Sequence, residues 1–205
     1  MTRAARERLA AAIRTLVAHA VETDIEVDVA EKAADTLEHL VETLDRQPRR
    51  GPKNPEKPEF EDLQLNFGYD PVIGYANPIA PPVEVSFGDD RVVHGTANLD
   101  RQYEGPPGYV HGAIIAAIFD LLLGLANAVG GNAGMTGTLT IRYRKPTPLK
   151  TDLTITASVL RTEGRKAYTY GEIHAGDTLT AECEGVFISL TDEMGAELFP
   201  RLKRA

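Results

Sequence analysis

From Gly112 to Gly130 the chain is almost wholly apolar, with Ile114, Ile115, Ile118, Phe119, Leu121, Leu122, Leu123 and Leu125 leaving no polar stripe. A helix that is apolar on every side is one enclosed by other elements. Asp120 is the one ionisable residue in the run. Near the start, Leu9, Ile13, Leu16, Val17 and Ala20 recur at helical spacing, with Arg6, Glu7, Arg14 and His19 mostly off that stripe. A second stripe runs through Ala30, Ala33, Ala34, Leu37, Leu40, Val41 and Leu44. Asp28 and Glu31 have capping-box spacing and predict its start. The two amphipathic helices are expected to pair antiparallel.

Past Pro82 the period changes to two. Extended segments are predicted over Val83 to Phe87, Arg91 to Asp100, Thr136 to Lys145, Leu153 to Arg161, Lys166 to His174 and Leu179 to Leu190, with turn residues between them. The last four follow one another closely and predict an antiparallel meander. One buried helix among six strands makes an α+β domain, a curved antiparallel sheet wrapped around a central helix. The boundaries expected are a helical extension at 1–46, a linker at 47–60 rich in proline and charge, an irregular segment at 61–82, the main domain at 83–192 and a tail at 193–205. In the irregular segment, Tyr69, Tyr75 and Ile79 are candidates for lining a ligand cleft.

Composition narrows the function classes. A formal net charge of -8 argues against binding to a phosphate backbone, so no nucleic-acid partner is expected. The first residues hold Arg3, Arg6, Glu7, Arg8 and Arg14 among their apolar positions and lack an uninterrupted secretory core. The Asp120 run is interrupted by polar residues, and no membrane insertion is expected. Cys183 is the only cysteine and reads as a small buried side chain. A cytoplasmic location fits. His19 and His39 read as solvated helix positions, and His94 and His174 lie in strand patterns without metal-ligand spacing; neither a metal nor a cofactor is expected. No GxSxG, phosphate-loop or dinucleotide motif occurs.

The chemistry sits at the two ends of one arrangement. Gly105, Pro106, Pro107 and Gly108 force a turn that delivers His111 and Gly112 to the helix start. There, free N–H groups can polarise a carbonyl, or Gly112 can serve the turn alone. Asp120 is either an acid/base or nucleophilic carboxylate, or an acid that fixes geometry. Nine residues along a helix is about two and a half turns, so His111 and Asp120 face opposite ways and cannot grip one carbonyl. Two such helices packed antiparallel across a twofold axis would bring the start of each beside the middle of the other, which predicts a homodimer or a dimer of dimers. On the strand after the helix, Leu139, Ile141 and Tyr143 alternate with Thr140, Arg142 and Arg144. Its cations, with Lys145, either meet phosphates or pair with surface acids.

The segments GPPGYVHGAIIAAIFD, TGTLTIRYRKPTPL and AECEGVFISL resemble the PaaI-like acyl-CoA thioesterases of the hotdog-fold superfamily, over about residues 77 to 190. The resemblance implies a hotdog fold and hydrolysis of acyl-CoA thioesters to free acid and CoA. It implies that the N–H of Gly112, beside His111, polarises the thioester carbonyl, and that Asp120 of the other subunit is base or nucleophile. It also implies that Thr136 positions the attacking water. Ala113 stands where that family has a second glycine, and Glu104 with Gly105 stands where a polar amide is common, so both enter as substrate-contact candidates with Arg142, Arg144 and Lys145. A noncatalytic acyl-CoA or lipid-binding module on the same fold is the alternative.

Overall fold

The computed structural model describes residues 2–48, 67–88, 91–132, 134–191 and 193. Most of the expected linker and nearly all of the expected tail lie outside these residues. Helix α1 spans Arg3–Glu22, α2 Val27–Asp45 and α3 Gly112–Val129. The strands are β1 Val83–Phe87, β2 Val93–Asn98, β3 Gly134–Tyr143, β4 Asp152–Glu163, β5 Lys166–Ala175 and β6 Thr178–Ser189. Every expected strand is present, with ends shifted by up to two residues. Together they form one antiparallel sheet in the order β1-β2-β4-β5-β6-β3. The meander is therefore β4-β5-β6 only. After β3 the segment KPTPLK, in which two prolines preclude a tight hairpin, carries the chain across so that β4 pairs with β2. β3 is left as an edge strand beside β6.

The sheet wraps α3, as expected of a hotdog fold. Ile118, Phe119, Leu122 and Leu123 are fully buried against it, each contributing about 1.5–3 kcal/mol. Close approach depends on strand glycines. A Cβ on Gly171 would lie 2.8 Å from Thr156 O and 3.2 Å from Leu123, and one on Gly95 would lie 2.9 Å from Leu122. Gly124 meets Phe187 and Ala126 is buried, so these small residues serve the sheet side of the helix. By length and composition α3 would suffice for a membrane span, but it is the helix around which this sheet curves. The enclosure expected of α3 is only half realised. Ala113 and Asp120 are exposed and Ile114, Ala116, Ala117, Leu121 and Gly124 are part-exposed, because the sheet covers one side only.

The extension departs from expectation. All of α2 is exposed, so the two helices share no buried seam. The chain leaves α1 through extended Thr23 and enters α2 through extended Glu26. Glu26, not Asp28, is the N-cap. Asp28 lies in the first turn and pairs with Lys32 at 3.2 Å. α1 docks through the face that holds Ala10 and Ala18, both buried, and its arginines instead of through its leucine stripe. Arg14 donates to the carbonyls of Ala80 (3.0 Å) and Asn77 (3.3 Å), Arg3 stacks on Tyr75, and Arg6 stacks on Tyr69 and donates to its hydroxyl. Tyr69 and Tyr75 thus form the saddle for α1, and Ile79 is largely exposed.

Candidate active site

The turn before α3 is fixed by its own polar groups. Glu104 Oε1 accepts from the Gly108 N–H at 2.6 Å, with Gly108 at φ 83°, and Glu104 Oε2 pairs with Arg101 at 3.3 Å. Both carboxylate oxygens of Glu104 are thus engaged in local structure. Gly105 packs directly on the next residue of the site, since a Cβ there would lie 2.8 Å from His111 Cα. His111 is the N-cap of α3, its Nδ1 accepting from the Ala113 N–H at 3.0 Å. The Gly112 N–H has no hydrogen-bond partner among the described residues. It is a free donor at the positive end of an 18-residue helix dipole. Tyr143, at the end of β3, donates from its hydroxyl to the Gly112 carbonyl at 3.0 Å and pins this helix start to the sheet edge.

Two turns further along α3, Asp120 Oδ1 accepts from the Thr136 hydroxyl at 2.7 Å. Thr136 lies just before a bulge in β3, between Thr136 and Thr138, and both partners of the bond are exposed. Asp120 is therefore not the buried acid that its apolar neighbours suggested. It sits on the uncovered side of the helix, beside the edge strand. Eight residues separate it from Gly112, about 12 Å of helix, so a single chain holds the free N–H and the acid apart.

The cations of β3 divide. Arg142 pairs with Glu184 at 2.7 Å and Glu182 at 3.5 Å, and Arg144 with Glu182 at 2.6 Å. Arg144 first, with Arg142 and the Tyr170 hydroxyl adding to it, holds the Glu182 carboxyl below the usual range. Tyr170 and His174 flank Glu172, whose carboxyl is lowered chiefly by His174 at 2.9 Å. These acids and the two arginines alternate away from α3, on the outer face of the sheet. Lys145 has no ion-pair partner among the described residues. It lies at a cleft of about 540 Å³ that Gly112, Tyr109, Ile115, Tyr143, Thr147 and also Arg144 line, so Arg144 reaches this cleft as well as Glu182. The structure thus joins Asp120 to Thr136, and Gly112 to Arg144 and Lys145 through the cleft. Tyr143 and Thr147 were not singled out by sequence. Tyr143 read only as one apolar position of an alternating strand, and Thr147, between two prolines, carries no motif.

Comparison with known proteins now bears on this arrangement. The Thioesterase superfamily family model matches residues 107–182, which contain the end of the turn, all of α3, strands β3, β4 and β5 and the start of β6. Acyl-coenzyme A thioesterase THEM4 of Mus musculus is 37% identical over 92 residues, 44% of this chain and 40% of that protein. The match therefore spans less than half the length of that relative. A crystal structure described as a thioesterase superfamily protein superposes with a TM-score of 0.80 at 36% identity, covering 90% of each chain. The PaaI protein from the phenylacetic acid degradation operon of E. coli, at 19% identity and a TM-score of 0.50 over 53% of this chain and 80% of its own, shares the fold. The chain belongs to the thioesterase superfamily, as the sequence resemblance implied.

Proposed function

We propose that this protein hydrolyses acyl-CoA thioesters to free acid and CoA, in a site completed by two copies of the chain. The observation that carries the reading is the pair of groups with unspent capacity: a Gly112 N–H without a partner and, about 12 Å along the same helix, Asp120 oriented by Thr136. In the proposed dimer two α3 helices run antiparallel along their uncovered sides, and the exposed edge of β3 gains a partner strand, which relieves an open sheet edge. Gly112 of one protomer then faces Asp120 of the other.

The Gly112 N–H donates to the thioester oxygen as negative charge develops on it. Asp120 either removes a proton from water or attacks the carbonyl carbon itself, giving an anhydride that water opens. In both routes the thiolate of CoA leaves and takes up a proton. Thr136, as donor to Oδ1, leaves the other oxygen of Asp120 aimed at the reacting centre. Lys145 is the cation free to meet a CoA phosphate, while Arg142 and Arg144 are occupied by Glu182 and Glu184. Cys183 takes no part, since burial pushes its thiol up to about 11. Such an unreactive lone thiol is in keeping with a cytoplasmic setting.

Free-thiol release from a panel of acyl-CoAs, with Asp120→Asn as control, tests the reading. Turnover in the native chain and its loss in the variant are expected, and full activity in the variant would remove Asp120 from the mechanism. Tight acyl-CoA binding with no turnover would instead identify a noncatalytic binding module.

A further inference from the structure

α2 is 19 residues long and exposed along its whole length. A helix owes most of its stability in water to the packing of one apolar face, and α2 has such a face. Ala30, Ala33, Leu37, Leu40 and Leu44 are spaced by three and four in alternation, the a and d repeat of a coiled-coil seam. The six acids of the helix, Asp28, Glu31, Asp35, Glu38, Glu42 and Asp45, all fall at the b and f positions, away from that seam. The flanking e and g positions hold Val29, Ala34, Thr36, Val41 and Thr43. Thr36 and Thr43 turn their hydroxyls back on the helix, donating to the carbonyls of Lys32 at 2.8 Å and His39 at 3.1 Å. The face is therefore apolar and uncharged out to both flanks.

Charge and size together name its occupant. With six acids against one lysine, α2 repels an anionic lipid surface or a phosphate backbone, whereas a second α2 meets it through uncharged flanks. The seam is small at its start, Ala30 and Ala33, and large further on, Leu37 and Leu40. When two such helices run antiparallel, each a position packs with a d position of the other. Ala30 then lies opposite Leu40 of the second copy and Ala33 opposite Leu37, so all four central layers pair a small side chain with a large one. A parallel pair sets Ala against Ala and Leu against Leu. Folding α2 back on α1 does the same, with Ala20 against Ala33 and Leu9 against Leu44, in keeping with the absence of a buried seam between them.

We propose that α2 is an association helix that pairs antiparallel with α2 of a second copy of the chain, about a twofold axis at the level of Asp35. The pairing joins two copies through a surface that holds no residue of the candidate active site, and it does not depend on the hydrolase reading.

Mild oxidation of the full chain carrying Ala30→Cys with Leu40→Cys tests it. The two positions lie about 15 Å apart along one helix, too far for an internal disulfide, and Cys183 is buried. The double variant should cross-link into a covalent dimer at least about tenfold faster than Asp35→Cys, because paired thiols meet at an effective concentration far above that of the chain. Leu40→Cys alone faces Ala30 and should stay at the Asp35→Cys rate. Adding Leu37→Glu to the double variant sets a charge in the seam and should return it to that rate. Cross-linking of the double variant no faster than Asp35→Cys would overturn the proposal, as would fast cross-linking by Leu40→Cys alone, the mark of a parallel pair. Insensitivity to Leu37→Glu would overturn it too, and so would flotation of the chain with phosphatidylcholine vesicles that Leu37→Glu abolishes, the mark of a lipid surface. Thiol release is measured separately, so failure of the pairing leaves the hydrolase reading standing.

Discussion

The two faces of the sheet treat their polar residues differently. On the outer face, Arg142, Arg144, Glu182, Glu184, Tyr170, Glu172 and His174 satisfy one another. On the helix side the polar groups are few, and among the described residues the Gly112 N–H and the second oxygen of Asp120 keep spare capacity. A saturated network contributes to shape and solubility, whereas an unsaturated one set beside a cleft is available to a substrate. Abundance of charge is thus a poor guide to the site here, and unmet hydrogen-bonding capacity a better one.

Substitutions on the two faces should separate sharply. Asp120→Asn is expected to lower kcat for acyl-CoA about 10³-fold with Tm nearly unchanged, since the residue is exposed. Thr136→Val removes one hydrogen bond to a charged group and should cost about 10- to 100-fold in kcat. Tyr143→Phe, which frees the Gly112 carbonyl but keeps the ring, should cost about three- to tenfold in kcat at constant KM. On the outer face, Arg142→Ala should leave steady-state rates within about twofold, as exposed ion pairs contribute little. A large rate loss there would erase the distinction between the faces.

Acid should probe the outer network by itself. The carboxyls of Glu172 and Glu182 lie below the ordinary glutamate value of 4.5 in the folded protein, so their contribution is full above that value. It is lost as pH falls through the lowered folded values. Tm measured from pH 6 downward should fall below about pH 4.5, and more gently in Glu182→Gln. An identical acid slope in that variant would deny Glu182 its place in the network.

The helix around which the sheet curves was legible from the long apolar run 112–130, and the strands from their period-two alternation. His111, Gly112 and Asp120 stood out because a cap, a glycine and a lone acid break that run. Strand order was not legible. Nothing local to KPTPLK reveals that β4 will join β2, and that crossover is what leaves β3 at the edge beside Asp120. Alternation placed Arg142 and Arg144 opposite Tyr143, but only the β3–β6 register shows that Glu182 and Glu184 await them. The docking of α1 was hidden for a similar reason, since nothing local to Arg3, Arg6 and Arg14 shows that Tyr75, Tyr69 and the Asn77 and Ala80 carbonyls lie beneath them.

The composite site is tested most directly by complementation between two inactive variants. Gly112→Pro deletes the N–H while suiting the first helical position, and His111 at φ -64°, ψ 134° has a backbone compatible with a following proline. Asp120→Asn removes the acid. Neither variant alone should release thiol at an appreciable rate. When equal amounts are mixed and redistributed at random, half the dimers are mixed and each carries one intact site of two, so about one quarter of native activity should return. Mixed dimers that form and remain inactive, or a chain that stays monomeric while the native protein turns over, would contradict a site shared between protomers.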